Sequence, residues 1–220
     1  MKNIVVAGIS GHSKVVIDII EKQNQYKIVG LIDPIADIGR EVFGYSVIGR
    51  DLELKKLKEM LDIYGYIIGI GDNWIRAKVH QTILHQNLGL VAINAIHPTA
   101  TIAKGASLGC GNVIMAQTNI GCDSSIADFC IINHNGTLDH DSKMENFSSL
   151  GPGVTTGGNV SIGAFSAVLI GATIKHGITI GSHSVVGAAS LVLKDIESNV
   201  VVYGVPTKKI RDREIGERYL

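Results

Sequence analysis

The sequence predicts two structural parts in one chain of 220 residues: a Rossmann-like α/β domain over residues 1–92 and a parallel β-helix over residues 93–220. Two observations predict this division. Apolar strands alternate with helical segments in the first part, and aliphatic residues recur at every sixth position in the second. The 26 glycines and an aromatic content of only 5% also favour short strands joined by many tight turns.

The composition argues against several classes of protein. Lys plus Arg and Asp plus Glu each number 20, so no broad electrostatic field points to nucleic acid or to an anionic membrane. The sequence contains no run of about 18 apolar residues, so it predicts no membrane-spanning helix. The apolar run near the N-terminus is too short for a signal peptide. Three cysteines without C-x-x-C spacing indicate reduced thiols, so we expect a cytoplasmic protein.

The first part follows a strand–helix order that repeats three times. Strands are predicted at residues 4–7, 26–32 and 66–70, and helices around residues 15–20, at 51–60 and at 73–85. This alternation implies a parallel sheet whose ligand-binding loops lie at the carboxyl ends of the strands.

Three loops at that edge carry the candidate binding groups. Residues 8–12 contain two glycines, which let backbone N–H groups at a helix N-terminus approach a phosphate or a sugar. The G-x-G-x-x-G pattern has three glycines, so this loop alone is a weak dinucleotide signal. Asp33 follows the second strand and offers a carboxylate to a ribose or a base, with an ordinary turn as the alternative. Residues 71–73 end the third strand and are candidates to close the same pocket, with Arg76 one helical turn further on.

The second part carries a repeat of six residues. Of the seventeen positions taken every sixth residue from Ile96 to Val192, sixteen are aliphatic or methionine, and Thr156 is the exception. A period of six fits neither a helix, at 3.6 residues per turn, nor a free strand, at 2. It fits a chain that bends every six residues, so that three faces close a triangular coil of 18 residues. Such coils stack at the inter-strand spacing of about 4.8 Å.

His140 is the candidate general base among the eight histidines. It lies between Asp139 and Asp141, and a carboxylate that pairs with one ring nitrogen raises the basicity of the other. The alternative is a surface histidine in a charged turn. His140, Gly158 and His176 are one coil apart, so we expect them to stack in one column. Gly158 has no side chain to block its N–H group, which makes it a candidate oxyanion donor.

Three segments together resemble the hexapeptide-repeat sugar O-acyltransferase group of bacteria, over essentially the whole chain. They are GISGHSKVV at residues 8–16, IGIGDNWIR at residues 68–76 and the six-residue repeat. The group includes sialic acid O-acetyltransferases and N-acetyltransferases of nucleotide-linked 4-amino-4,6-dideoxy sugars. The resemblance implies a left-handed β-helix, a homotrimer and acetyl-CoA as co-substrate, with no metal.

The resemblance assigns the nucleotide-sugar to the N-terminal domain. By position it implicates five residues as ligand contacts: Ser10, Gly11, His12, Asp33 and Gly71. Pro34 stands where some relatives carry a second acid, so UDP, dTDP, GDP and CMP all stay open as the nucleotide.

The resemblance assigns the remaining roles to the β-helix. His140 matches the general base, Asp141 the acid that enhances its basicity, and Gly158 the oxyanion donor. Asn133 matches a polar position near the site. Four residues match the acetyl-CoA slot: Ser149, Ile170, Ala188 and Lys208. Close relatives often have histidine at position 149, and Lys208 lies in YGVPTKK, which resembles a G-x-P-A-[KR] stretch of many such enzymes.

The function implied is an acetyl-CoA-dependent N-acetyltransferase that acts on the amine of a nucleotide-linked amino sugar in bacterial surface-glycan biosynthesis. Three alternatives stay open. In the first, the acceptor is a hydroxyl of sialic acid or of another sugar. In the second, the β-helix carries a zinc site. In the third, the protein binds nucleotide-sugars without catalysis. The zinc site needs three converging histidines, whereas His134 and His140 fall on successive faces.

Overall fold

The computed structural model describes residues 1–219 and forms two compact units, Met1–Pro98 and the segment from Thr99 onward. The sequence predicts this boundary a few residues earlier, after residue 92. Within residues 1–219, no helix has both the length and the apolar character needed to cross a membrane.

The first unit is built on one mixed sheet. Its strands are β1 (Lys2–Ala7), β2 (Tyr26–Ile32), β3 (Glu41–Val42), β4 (Tyr45–Gly49), β5 (Ile63–Ile68) and β6 (Val91–Ala92), and β7 (Ala95–Ile96) follows them. The helices are α1 (Gly11–Gln23), a 3₁₀ helix (Asp51–Glu53), α2 (Leu54–Leu61) and α3 (Asn73–Leu84). The strand order is β3-β4-β2-β1-β5-β6, which places β1 between β2 and β5.

The central position of β1 explains its sequence. Residues 4–7 of β1 are completely buried, and a strand covered on both faces is expected to be continuously apolar. The backbone then leaves the sheet through Gly8, whose φ of 105° favours glycine, and α1 begins with Ser10 as its N-cap. These features fix the first loop at the carboxyl edge of the sheet.

The hairpin of β3 and β4 differs from the prediction of a purely parallel sheet. Phe43 and Gly44 both have positive φ, 51° and 78°, which is the geometry of a two-residue hairpin turn. Because β3 and β4 pair antiparallel while β4 pairs parallel with β2, the sheet is mixed. The third predicted strand also lies earlier than expected, at Ile63–Ile68.

From Thr99 onward the chain forms a left-handed parallel β-helix of two-residue strands. They are β8 (Thr101–Ile102), β9 (Ser107–Leu108), β10 (Val113–Ile114), β11 (Asn119–Ile120), β12 (Ser125–Ile126), β13 (Ile131–Ile132), β14 (Thr137–Leu138), β15 (Lys143–Met144), β16 (Ser149–Leu150), β17 (Thr155–Thr156), β18 (Ser161–Ile162), β19 (Ala167–Val168), β20 (Thr173–Ile174), β21 (Thr179–Ile180), β22 (Val185–Val186) and β23 (Leu191–Val192). Two longer strands follow, β24 (Val200–Tyr203) and β25 (Lys208–Asp212).

The strands stack into three faces that we name in chain order. Face A contains β8, β11, β14, β17, β20 and β23; face B contains β9, β12, β15, β18 and β21; face C contains β10, β13, β16, β19, β22 and β24. Paired residues of the two-residue strands are 18 positions apart, as in the pairing of Val113 with Ile131, whereas β22 and β24 pair at a separation of 16, as in Val185 with Val201. The chain crosses edge A/B between β14 and β15, and edge C/A between β13 and β14.

The predicted six-residue repeat is confirmed as the core of this prism. Every sixth residue from Ile114 to Val192 is at most 3% exposed, including Thr156. Ile102 is 38% exposed because it lies in the first coil, where this unit provides a neighbouring coil on one side alone.

The corners of the prism use a conformation that the sequence analysis missed. Every sixth residue from Gly105 to Ala189 has a positive φ, and most of these residues are not glycine. Left-handed backbone is costly for bulky residues, and contacts between coils compensate for it here. The residues of one such column have ring centroids 5.1, 5.3 and 4.7 Å apart in successive pairs: Phe129, Phe147, Phe165 and His183.

Candidate active site

His140 and Asp141 form a hydrogen-bonded pair at edge A/B. The distance from His140 Nδ1 to Asp141 Oδ2 is 2.7 Å, and the two side chains are 51% and 62% exposed. Asp141 is a corner residue with a φ of 56°. The His140 backbone N–H donates to Asp139 Oδ1 at 2.8 Å, so both neighbouring acids hold the histidine.

The two carboxylates raise the pKa of His140. The hydrogen bond to Asp141 contributes most, and the negative charge of Asp139 adds to it. When Nδ1 carries the proton towards Asp141, Nε2 has a lone pair and is the basic atom. The pair therefore has the chemistry of a general base whose partner fixes its orientation.

Gly158 lies directly against the His140 ring, as the column of 18-residue steps predicts. A Cβ atom at position 158 would collide with His140 Nε2 and lie only 2.5 Å from Cε1. His176 follows in the same column, with its ring centroid 6.2 Å from that of His140. The absence of a side chain at Gly158 therefore makes room for the imidazole as well as leaving a backbone N–H beside it.

Thr156, the one interruption of the six-residue repeat, supports the loop that carries His140. Its Oγ1 accepts a hydrogen bond from the Asp139 backbone N–H at 3.0 Å. The ladder between β14 and β17 contains one pair, Thr137 with Thr155, whereas the next ladder on face A contains two. The inward Thr156 hydroxyl thus accepts the Asp139 N–H, which in a regular ladder would donate to a backbone carbonyl. Asp139 directly precedes His140. The signal of Thr156 in the sequence was the one polar residue at an inward position.

The predicted acetyl-CoA residues of the middle coils lie at edge C/A. Ile170 is 57% exposed, and Ala188 is exposed one coil further along the same column. Asn133 lies at this edge too, where its Oδ1 accepts from the His134 backbone N–H at 2.8 Å and lies 2.9 Å from His134 Nδ1. Face A separates this edge from His140, so one chain does not bring the two groups together.

Ser149 lies on face C beneath the C-terminal segment of its own chain. It is 9% exposed, and its Oγ is 3.4 Å from the Tyr219 hydroxyl. The Tyr219 side chain packs on a cluster that includes Ala167 and Val185. Arg213 anchors the segment by donating to the His183 carbonyl at 2.6 Å.

Lys208 lines a groove of about 420 Å³ at the last coil. Lys194 and Lys209 line the same groove, together with Asp195 and Glu197. Lys209 is paired with Asp212 at 2.7 Å and with Glu197 at 3.7 Å, which offsets part of the positive charge there.

The predicted ligand residues of the first unit lie at the carboxyl edge of neighbouring strands. Ser10 and Gly11 follow β1, and Gly71 follows β5. Ser10 Oγ accepts from the His12 backbone N–H at 3.2 Å and donates to the Gly69 carbonyl at 2.9 Å, which ties the two loops together. A Cβ atom at Gly11 would meet no atom within 4 Å, so this position faces open space.

Asp33 completes this edge after β2. Its Oδ1 accepts from the backbone N–H groups of Ile35 and Ala36, at 3.0 and 2.9 Å. This is an Asx turn, the alternative that the sequence left open for Asp33, and the residue remains only partly buried.

Among residues 1–219 there is no group of three or more His, Cys, Asp or Glu side chains that could hold a metal ion. His134 and His140 lie at different edges of the prism, at C/A and A/B respectively.

Comparison with known proteins identifies the family. Residues 3–83 match the family model described as the PglD N-terminal domain. A perosamine N-acetyltransferase variant from Caulobacter crescentus, in complex with CoA and GDP-perosamine, is 34% identical with a TM-score of 0.90, over 96% of this chain and 98% of that one. The chain belongs to the hexapeptide-repeat sugar acetyltransferase family.

Other acetyltransferases of this family are similar in structure or sequence. The acetyltransferase domain of PglB from Neisseria gonorrhoeae, in complex with acetyl coenzyme A, is 30% identical with a TM-score of 0.86, over 95% of this chain and 99% of that chain. UDP-N-acetylbacillosamine N-acetyltransferase from Bacillus subtilis is 31% identical over 53% of this chain and 52% of its own length. The chain thus spans about half the length of this curated relative. Galactoside O-acetyltransferase from Escherichia coli is 32% identical over 63% of this chain and 70% of its own length.

Replacing Asp141 with Asn should lower the pKa of His140. The carboxylate stabilises the imidazolium, so its loss lets the ring release its proton at lower pH, nearer the ordinary value of about 6.5. NMR titration of the His140 ring measures the shift. Asp123→Asn is the matched control, because Asp123 has the same corner conformation one coil earlier. An unchanged His140 pKa in Asp141→Asn would show that the hydrogen bond has no electrostatic effect.

Proposed function

We propose that this protein transfers the acetyl group of acetyl-CoA to the amine of a nucleotide-linked amino sugar of the 4-amino-4,6-dideoxy type. The observation that carries the proposal is the His140–Asp141 pair, with its ring against Gly158, on an acetyltransferase β-helix. A first unit with an open, glycine-containing loop at its sheet edge supports binding of the nucleotide-sugar.

The comparisons support both substrates. The Caulobacter crescentus enzyme is crystallised with CoA and GDP-perosamine, and its variants carry Asn or Ala in place of one histidine. GDP-perosamine N-acetyltransferase from Escherichia coli is 26% identical over 69% of this chain. These relatives act on nucleotide-linked amino sugars, which favours an amine as the acceptor.

The proposed mechanism is direct transfer without an acetyl-enzyme. The acceptor amine attacks the thioester carbonyl carbon, and His140 Nε2 removes one amine proton. The Gly158 N–H stabilises the oxyanion that forms on the carbonyl oxygen. As the tetrahedral intermediate collapses, the C–S bond breaks, the new amide remains, and the CoA thiolate receives the proton from His140.

We further propose that the protein works as a homotrimer. His140 and Gly158 lie at edge A/B, whereas Ile170 and Ala188 lie at edge C/A of the same chain. The proposed base and the proposed CoA slot can act in one reaction when edge A/B of one copy meets edge C/A of another. A closed ring of copies satisfies every such edge, and the resemblance to the family implies that the ring contains three copies.

The proposal also covers the other binding contacts and the cellular compartment of the reaction. The nucleotide-sugar contacts are Ser10, Gly11, His12, Asp33 and Gly71. Asn133 contacts the acceptor region, and the CoA slot is lined by Ser149, Ile170, Ala188 and Lys208. Contact between CoA and Ser149 requires displacement of Tyr219, which covers that side chain. We place the reaction in the cytoplasm, where both substrates are supplied.

A panel of acceptors tests the proposal. CoA release is measured with UDP-, dTDP- and GDP-linked 4-amino sugars, with free sialic acid and with a galactoside. We expect turnover with at least one nucleotide-linked amino sugar, and none with sialic acid or the galactoside. If only an acceptor with a hydroxyl group is acetylated, the proposed N-acetyltransferase function is wrong. The protein would then be an O-acetyltransferase, like its galactoside relative.

Replacing His140 with Ala should lower kcat by about 10²–10⁴, the range that general base catalysis usually contributes. Binding of acetyl-CoA, measured by calorimetry, should stay within about twofold, because the base acts on the acceptor. His85→Ala removes an exposed histidine of the first unit and is the control. Full activity in His140→Ala would remove this residue from the mechanism.

Replacing Gly158 with Ala should also lower kcat, by up to about 10², because the new Cβ displaces the His140 ring. The variant should fold, since Gly158 has no positive φ that would strain an alanine. Gly89→Ala is the control for lost stability: it strains a left-handed glycine of the first unit, with a φ of 63°, and its Cβ would meet no atom within 4 Å. Steady-state kinetics compare the two, and equal rates would contradict the packing of the ring on Gly158.

A further inference from the structure

Arg76 is a completely buried cation at the start of α3. Its exposed fraction is 0%, the value for a core leucine rather than for a charged side chain. Arginine is almost never fully buried unless it is paired, since the guanidinium loses its hydration. The sequence placed Arg76 at the ligand pocket, yet its burial keeps it from touching a ligand directly.

The guanidinium of Arg76 binds the loop between β5 and α3. Nη1 donates to the Gly71 carbonyl at 2.9 Å and to the Ile70 carbonyl at 3.2 Å, and Nη2 donates to Asn73 Oδ1 at 2.7 Å. A guanidinium is planar and rigid, so bonds to several acceptors fix their relative positions. Arg76 therefore determines the shape of this loop.

The preceding residue of the loop is anchored in the same manner from α1. The Gly69 carbonyl accepts from Ser10 Oγ at 2.9 Å and from Ser13 Oγ at 3.0 Å. Three successive carbonyl oxygens, of residues 69, 70 and 71, are thus bound by side chains of the protein. Carbonyl oxygens directed at the ligand would instead repel a diphosphate.

We propose that Arg76 is a positioning residue for the nucleotide-sugar. It holds the Ile70 and Gly71 carbonyls towards the protein, so that the loop at Gly71, at the same carboxyl edge as the open position Gly11, accepts the diphosphate group. This inference rests on the proposed function, because it needs a nucleotide-sugar at this edge.

The test is the variant Arg76→Lys, which keeps the charge but offers a point donor in place of the planar fork. We expect KM for the nucleotide-sugar to rise by about tenfold to a hundredfold, as for a misplaced binding loop. The kcat at saturation and KM for acetyl-CoA should stay within about twofold. Calorimetry with the nucleoside diphosphate alone should show the same loss of affinity.

Ile83→Val is the control for mere destabilisation. Ile83 is 3% exposed on the same helix, and its shortening lowers the melting temperature without touching the loop. An unchanged KM for the nucleotide-sugar in folded Arg76→Lys, or an equal rise in Ile83→Val, would overturn the inference alone. A wild-type protein that neither binds nor acetylates any nucleotide-sugar would overturn the proposed function, and this inference with it.

Discussion

The site depends on the coil length of 18 residues. Equal coils place each residue above its counterpart in the preceding coil, as the pairing of Val113 with Ile131 shows. At edge A/B this register brings Gly158 against the ring of His140. A coil longer or shorter by one residue would move inward side chains to the outside and put another residue beside the imidazole. The fold therefore specifies the geometry of the site through regular spacing along the chain.

The exposure of the His140–Asp141 pair limits what one chain achieves alone. Ion pairs in contact with water contribute little to the stability of the fold, because solvent screens their charges. Both side chains are about half exposed, so the carboxylate orients the ring more than it stabilises the fold. In the proposed trimer, a neighbouring edge would cover the pair and exclude water, which strengthens every electrostatic interaction of the transition state. The proposed assembly and the proposed chemistry thus support each other.

The sequence predicted the features that are periodic or local. The buried repeat, the β1 and β2 strands and the column of His140, Gly158 and His176 follow from residue spacing. The hairpin of β3 and β4 was missed because its strands are too short for a clear alternation. Thr156 and Arg76 have roles set by partners that sequence spacing does not reveal, a backbone N–H one coil away and the carbonyls of a loop. Likewise, nothing in the spacing indicated that the C-terminal segment would cover face C at position 149.

In the proposed function, the β-helix supplies the chemistry and the first unit selects the substrate. A histidine paired with an aspartate can accept a proton from an amine or from a hydroxyl, so the β-helix does not distinguish these acceptors by itself. Discrimination must then come from where the acceptor is held, and a nucleotide-linked sugar is held largely through its nucleotide. The loops after β1, β2 and β5 are the elements suited to that task. A loop fixed from behind by the buried Arg76 would give affinity for the nucleotide, so the amino sugar would be selected by binding. The rate of transfer from the bound state would then depend on the His140–Asp141 pair.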